Sequence, residues 1–430
     1  MNFVSTRSKA APASLSAAIA SGLASDGGLF MPESLPRLSM SVFDGIESLS
    51  GIASVLLQSF FAGDALAEHL NAICADAFTF EAPLRSLATR DDYVLELFHG
   101  PTAAFKDFGA RFLAACMTRL RRDDEKSLTI VVATSGDTGA AVAAAFYKLR
   151  HFRVVILYPD GRVSPRQAHQ LGCFGDNVRT LRVAGSFDDC QRMAKLALAD
   201  SELQREVPLS SANSISLGRL LPQMAYYAHA SLNHFGSRKT LLNFVVPTGN
   251  LGNAVACIIA RSMGLPIGRI VFATNANPTL HDFFSGRDYM PRPSIATLAN
   301  AMDVGAPSNF ERLRWLYPDS ELRHEFLVDA VGDDAISATI RDRYANYGEI
   351  FCPHTATAVR TLENLRQEGA QGDWAAVSTA HAAKFEQVVE PLIGRKIDVP
   401  PPLEQLLRRP SSADPIAADI RALRDVLLAR

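Results

Sequence analysis

Lys106 lies in the stretch His99-Gly100-Pro101-Thr102-Ala103-Ala104-Phe105-Lys106-Asp107-Phe108-Gly109, a turn-forming, partly apolar run that leads into a strongly helical segment. An ammonium withdrawn from water loses its hydration, so its pKa falls. A neutral, nucleophilic amine suited to a Schiff base then becomes available near neutral pH. A lysine at a helix start is also commonly a solvated charge with its stem laid over apolar neighbours, and Lys106 alone does not decide between the two.

Two further segments bear on that choice. Val245-Val246-Pro247-Thr248-Gly249-Asn250-Leu251-Gly252-Asn253-Ala254 lies between an apolar run, Leu241 to Val246, and an alanine-rich helical run, Val255 to Met263. It reads as strand, glycine turn and helix. Gly249 and Gly252 allow close backbone approach, and free N–H groups at the helix start can hold a phosphate with help from the helix dipole. No lysine follows the second glycine and the spacing is not G-x-G-x-x-G, so the loop is neither a nucleotide P-loop nor a dinucleotide fingerprint. An ordinary glycine-rich βα turn has the same pattern. The second segment, Thr129 to Val142, repeats the design: a strand, then Ser135, Gly136, Asp137 and Thr138, then a helix. Its hydroxyls and N–H groups suit a carboxylate.

The elements that must position these groups follow from periodicity. From Tyr93 onward, apolar β-branched runs alternate with helical segments: Tyr93 to Leu97, Thr129 to Ala133, Val154 to Tyr158, Val178 to Val183, Leu241 to Val246 and Ile270 to Thr274. This predicts an α/β fold of parallel sheets with helices on both faces, and a site where strand C-termini meet. Residues 1–85 read as mostly helical, and the proline-bearing stretch 287–330 as an irregular cover for the site. The end of the chain reads as a proline break followed by a polar helix.

The chain resembles the threonine synthases, enzymes of the tryptophan-synthase-β type that use pyridoxal 5'-phosphate (PLP). The resemblance rests on Ser5-Thr6-Arg7, the run Gly22 to Pro32, His99 to Asp107, Ser135 to Ala140, Asn213 to Arg219, Gly249 to Asn253 and Ser378 to Phe385. The signature Gly22-Leu23-Ala24-Ser25-Asp26-Gly27-Gly28-Leu29 is that of the longer, bacterial and fungal members. Leu251, Asn253 and Ala382 depart from the family's common Phe, Asp and Pro.

The resemblance implies PLP fold type II: two open twisted parallel sheets flanked by helices, with a mainly helical N-terminal subdomain. It implies a subdomain at 1–85, a PLP-dependent core at 86–395 with a smaller α/β domain nested at about 110–220, and a tail helix at 396–430. Lys106 would bond the cofactor, Gly249, Asn250, Leu251, Gly252 and Asn253 would wrap its phosphate, and Thr379 would face its ring nitrogen. Ser135, Gly136, Asp137, Thr138, Arg162, Ser164, Asn213 and Arg219 are the implied substrate-binding residues, the arginines suiting a phosphate. The implied reaction turns O-phospho-L-homoserine and water into L-threonine and phosphate by β,γ-replacement, Lys106 serving as Schiff-base partner and proton shuttle. Its rivals are a phospho-lyase giving 2-oxobutyrate, a serine or threonine dehydratase of the same fold, and a PLP-binding protein without turnover. Asp107 is expected to cap helix N–H groups, and His99 and His381 to be structural.

Composition agrees. With 430 residues, 48% hydrophobic content and a formal charge of -2, the chain can bury large cores and carries no basic excess suited to nucleic acid. Its six cysteines form no C-x-x-C pair and no zinc pattern, as in a reduced cytoplasmic protein without a metal site. Residues 10–24 read as a short amphipathic helix rather than a signal peptide, and no apolar run approaches the roughly 20 residues that span a bilayer. A small-molecule substrate is the expected partner and a monomer the expected assembly, a homodimer being the alternative.

Overall fold

The computed structural model describes residues 1–89, 91–122 and 125–429, so the last residue of the expected tail lies outside the described residues. Near the N-terminus β1 (Phe3–Ser5) and β2 (Phe30–Pro32) pair antiparallel. Three α-helices, Leu15–Ser21, Leu49–Phe61 and Leu70–Ala77, follow the apolar periodicity of this region. Their apolar faces meet the back of the helix Lys106–Leu120: Phe61 stands edge-on to Phe112 with ring centroids 6.2 Å apart, and Phe78 lies 6.1 Å from Phe108. Such aromatic pairs contribute about 0.5–1.5 kcal/mol beyond the area they bury. The N-terminal helices therefore hold in place the helix that begins with Lys106.

Beyond them come β3 (Leu84–Ser86), β4 (Asp92–Glu96), β5 (Leu128–Ala133), β6 (Phe152–Pro159), β7 (Val178–Ala184) and β8 (Leu209–Ser211). The later strands are β9 (Leu242–Pro247), β10 (Ile267–Thr274), β11 (Leu327–Ala330), β12 (Asp373–Ser378) and β13 (Asp414–Ala417). One sheet has the order β11-β10-β9-β12-β4-β3 and the other β13-β7-β6-β5-β8. Every pairing in both is parallel except β3 with β4. Helices cover the sheets, whose strands are near-continuous apolar runs such as the fully buried Ile130, Val131 and Val132.

Two expectations need correction. The tail is not a helix alone: it holds the helix Pro401–Leu407, then β13, which extends the smaller sheet along β7, then the helix Ile420–Leu428. The stretch 287–330 is irregular only in its first part, where the short 3-10 turn Asn300–Met302 lies. Helices Phe310–Leu316 and Asp319–Glu325 and strand β11 follow. No helix among the described residues is long and apolar enough to cross a membrane.

Candidate active site

Parallel strands present their C-termini, and the helices that follow them, at one edge of a sheet. β4 leads through a turn into the Lys106 helix, β9 into the glycine loop and the helix Gly252–Ser262, and β12 into Thr379. β5 does the same in the smaller sheet with the helix Asp137–Phe146. These four junctions converge on one pocket, lined among others by Lys106, Asp137, Arg219, residues 247–253, His354 and Thr379.

The Lys106 ammonium lies 4.3 Å from the Phe105 ring centroid and, among the described residues, has no hydrogen bond or ion pair. Protein surrounds it, and the surface it retains faces the pocket. Burial pushes its pKa down to about 7, the Arg219 charge acting in the same sense and Asp137 against it. The turn before it is braced by Asp107, whose carboxylate accepts the Thr102 N–H at 2.8 Å and the Thr102 hydroxyl at 2.7 Å. Asp107 thus reaches back to the turn and does not cap the helix it stands in, contrary to expectation. Burial pushes its carboxyl up to about 6 in spite of these bonds. Gly100 has no side chain for a reason: a Cβ there would stand 2.5 Å from Asp107 Oδ2.

In the glycine loop the backbone N–H groups of Gly249, Asn250, Gly252 and Asn253 have no acceptor among the described residues. Leu251 differs. Its N–H donates to Thr248 Oγ1 at 3.1 Å, and it holds a left-handed φ of 63°, which costs about 1–2 kcal/mol for a residue with a Cβ. Asn253 braces the loop from inside, accepting the Thr248 hydroxyl at 2.8 Å and donating to the Pro247 carbonyl at 2.9 Å. The side chain that replaces the family's common Asp is therefore engaged within the loop. A Cβ on Gly249 would lie 2.7 Å from Met302 Cα, so the turn Asn300–Met302 can close over the loop only at a glycine. At Gly252 a Cβ would meet nothing nearer than Asn309 Nδ2 at 3.5 Å. Thr379 accepts the Phe105 N–H with its carbonyl at 2.8 Å, and its hydroxyl has no partner among the described residues.

Of the remaining expected residues, Asp137 and Arg219 line the pocket, whereas Ser135, Gly136, Thr138, Arg162, Ser164 and Asn213 do not. Ser135 and Thr138 are half-buried beside Asp137, and Gly136 has a φ of 135° and donates its N–H to Thr134 Oγ1 at 3.0 Å. Arg162 is exposed on the turn after β6. Ser164 is the N-cap of the helix Pro165–Gly172, in a capping box with Gln167, and its hydroxyl donates to the Lys384 carbonyl at 2.7 Å. Asn213 lies in the turn before Arg219, with its Oδ1 buried and unpaired. Arg219 is buried, donates to the Ala212 carbonyl at 2.5 Å, and leaves Nε without an acceptor. Burial lowers its pKa to about 10.

Sequence reasoning missed several residues. His354 is buried in the pocket wall at the start of the helix Pro353–Gln367, where Nε2 accepts the Ala301 N–H at 3.0 Å and burial pushes the ring's pKa down to about 4. Ser214 lines the pocket and accepts from Asn250 Nδ2 at 2.6 Å. The buried Arg312 joins Asn309 to the Phe30 and Ile215 carbonyls, tying β2 to the turn that carries Ser214. Ser214 sits inside a motif already singled out. His354 and Arg312 carry no local signal.

An unpartnered amine, N–H donors free at a helix start and an unpartnered hydroxyl facing one pocket match the aldehyde, phosphate and ring nitrogen of PLP. Fold and pocket together define a PLP-dependent enzyme of fold type II. A model of pyridoxal-phosphate-dependent enzymes matches residues 85–381, with models of the threonine synthase N terminus at 2–78 and C-terminal region at 355–427. Threonine synthase of Escherichia coli K12 is 39% identical over 96% of each chain, and that of Saccharomyces cerevisiae 33% identical over 86% of this chain and 85% of the other. The crystal structure of PLP-bound threonine synthase from Brucella melitensis superposes with a TM-score of 0.91 at 33% identity, covering 100% of this chain and 99% of that one. The chain belongs to the threonine synthase family. Maize serine racemase, 19% identical with a TM-score of 0.51 over 70% of this chain and 87% of that one, shares the fold alone.

Proposed function

We propose that the chain converts O-phospho-L-homoserine and water into L-threonine and phosphate, with Lys106 as the residue that holds PLP and moves protons. The observation that carries this reading is the convergence of the Lys106 amine, the free N–H groups of the Gly249–Asn253 loop and the Thr379 hydroxyl on one pocket. When bound, PLP supplies an electron sink that acidifies the carbon bearing the substrate's amino group. The loop N–H groups would hold its phosphate and Thr379 its ring nitrogen.

The protein's own groups do the rest. Lys106, its pKa pushed down to about 7 by burial, has a substantial neutral fraction near neutral pH and can take the Cα proton and deliver one at Cγ. Ser135, Asp137 and Thr138 leave backbone N–H groups without acceptors beside the pocket, a cup for the substrate carboxylate. Arg219 has no carboxylate within ion-pair distance among the described residues, so a substrate phosphate supplies its missing counter-charge and is stabilised as it leaves. Arg162 and Ser164 lie outside the pocket, and Ser164 is engaged by its helix and Lys384, so the phosphate role falls to Arg219. The Asn300–Met302 turn, pinned by His354, closes against the loop at Gly249.

The test is to supply purified protein with O-phospho-L-homoserine and identify the products by mass spectrometry and phosphate release. L-threonine and phosphate in equal amounts are expected. Phosphate with 2-oxobutyrate and ammonia would overturn the reading in favour of a phospho-lyase.

A further inference from the structure

Among the described residues that line the pocket, Asp137 is the one carboxylate. A bare carboxylate beside an amine keeps that amine protonated, which would disable Lys106 as a base. The charge of Asp137 is met from outside the pocket. Lys384, fully buried and not a pocket residue, places Nζ 2.9 Å from Asp137 Oδ1 and donates to the Thr102 carbonyl at 2.7 Å. Gln167 Nε2 adds a bond to the same oxygen at 3.0 Å. We propose that Lys384 is a positioning residue that takes up the charge of Asp137 and so leaves Lys106 as the basic amine of the pocket. This rests on the assignment of Lys106 made above.

The pair also spans the two sheets. Asp137 follows β5 of the smaller sheet, and Lys384 lies in the turn after β12 of the larger one. Two more bonds clamp the same turn: Ser164 Oγ donates to the Lys384 carbonyl and Arg166 Nη1 to the Ala383 carbonyl, each at 2.7 Å. Gln170 Nε2 reaches the Thr102 carbonyl from the smaller domain at 3.3 Å. The charge on Asp137 is therefore neutralised only while the two domains are docked, which couples docking to the basicity of Lys106.

The other groups around these three do not replace Lys384. Arg219 faces Lys106 from another wall and opposes its protonation. His354 faces Lys106 and Asp137 but is neutral above about pH 4. Asp107, near Lys384, is engaged by Thr102, and His381 accepts the Ala383 N–H with Nδ1. The buried Cys352 thiol near Asp137 has its pKa raised by burial. Burial alone would raise the Asp137 carboxyl, yet the Lys384 charge and its hydrogen bond hold it below the usual range.

The experiment follows the visible absorbance of the PLP-loaded protein against pH, whose midpoint reports protonation of Lys106 Nζ in its bond to the cofactor and so reads, without turnover, the charge that Asp137 and Lys384 together present to that nitrogen. Lys384→Met leaves the Asp137 charge unmet and moves the midpoint up by about one pH unit or more, in line with nearby-charge effects. Asp137→Asn leaves Lys384 unmet and moves it down. The double variant returns close to wild type, and Lys384→Arg restores the midpoint. Single variants that move the midpoint in the same direction, or not at all, overturn the proposal, since a purely structural defect has no reason to change sign. If Lys384→Met does not fold, Lys384→Gln, which keeps a donor toward Asp137 and the Thr102 carbonyl but removes the charge, decides in its place: an upward shift supports the proposal and any other result overturns it. Borohydride reduction and peptide mapping of the wild type separate the two failures. Label on Lys106 with unmoved midpoints defeats the role of Lys384 only, and label elsewhere defeats the assignment beneath it.

Discussion

Arg219 and Gly109 share one space: a Cβ at position 109, one helical turn beyond Lys106, would stand 2.9 Å from Arg219 Nε and 3.0 Å from its carbonyl oxygen. Glycine costs a helix interior about 1 kcal/mol relative to alanine. Overpacking a full site typically costs about 1–3 kcal/mol. Gly109→Ala should therefore lower the melting temperature, against its helix propensity, and lower kcat/KM as the guanidinium is displaced. A raised melting temperature with full activity would show that Arg219 can shift freely.

The same guanidinium gives the second prediction. Losing a charge-assisted hydrogen bond to substrate phosphate, about 1.5–3 kcal/mol, should cut kcat/KM for O-phospho-L-homoserine by about 10- to 10²-fold in Arg219→Ala. Arg162→Ala, on an exposed turn outside the pocket, should stay within a few-fold of wild type. Steady-state kinetics on both variants checks this, and the reverse ranking would move the phosphate site to the smaller domain.

Gly249 and Gly252 should fail in different ways. A Cβ at Gly252 meets the protein only at van der Waals distance while intruding on the loop, so Gly252→Val should keep the fold and lose PLP on dialysis. Gly249→Ala collides with the Met302 backbone, so it should also lower the melting temperature. Cofactor retention and melting curves distinguish them, and full retention by Gly252→Val would place the phosphate elsewhere.

The pH dependence follows from two lowered pKa values. Lys106, pushed down to about 7, is a free base above that pH and binds a proton below it, so kcat should fall as pH drops through about 7. His354, pushed down to about 4, is neutral throughout this range and should contribute no limb. His354→Gln, which keeps an acceptor for the Ala301 N–H, should leave the limb where it is. Disappearance of the limb in that variant would transfer the base role to His354.

Much of the fold and of the site is legible in the sequence. Strands β4, β5, β6, β7, β9 and β10 announce themselves through β-branched runs, and Lys106 and the glycine loop through residue types at strand-to-helix junctions. β12 did not: Asp373-Trp374-Ala375-Ala376-Val377-Ser378 holds one β-branched residue, and its place at the centre of the larger sheet, between β9 and β4, makes it a strand. β13, with Pro415 inside it, is recruited at the sheet edge by pairing with β7 across more than 200 residues of sequence. Local pattern carries no such information. Lys384 lies within the Ser378–Phe385 motif, but its role depends on Asp137, which follows a strand of the other sheet. Arg162 and Ser164 show the opposite case, where residue type suggested an anion site and the fold turns them outward or into a helix cap.

The central claim is that Lys106 is the cofactor lysine. Borohydride reduction of the yellow, PLP-loaded protein, followed by proteolysis and mass spectrometry, tests it most directly. The pyridoxyl group is expected on the peptide containing Lys106, with Lys106→Ala losing turnover by more than the roughly 10²–10⁴-fold of acid–base help alone. Label on Lys384 or any other lysine, with Lys106 unmodified, would contradict the account.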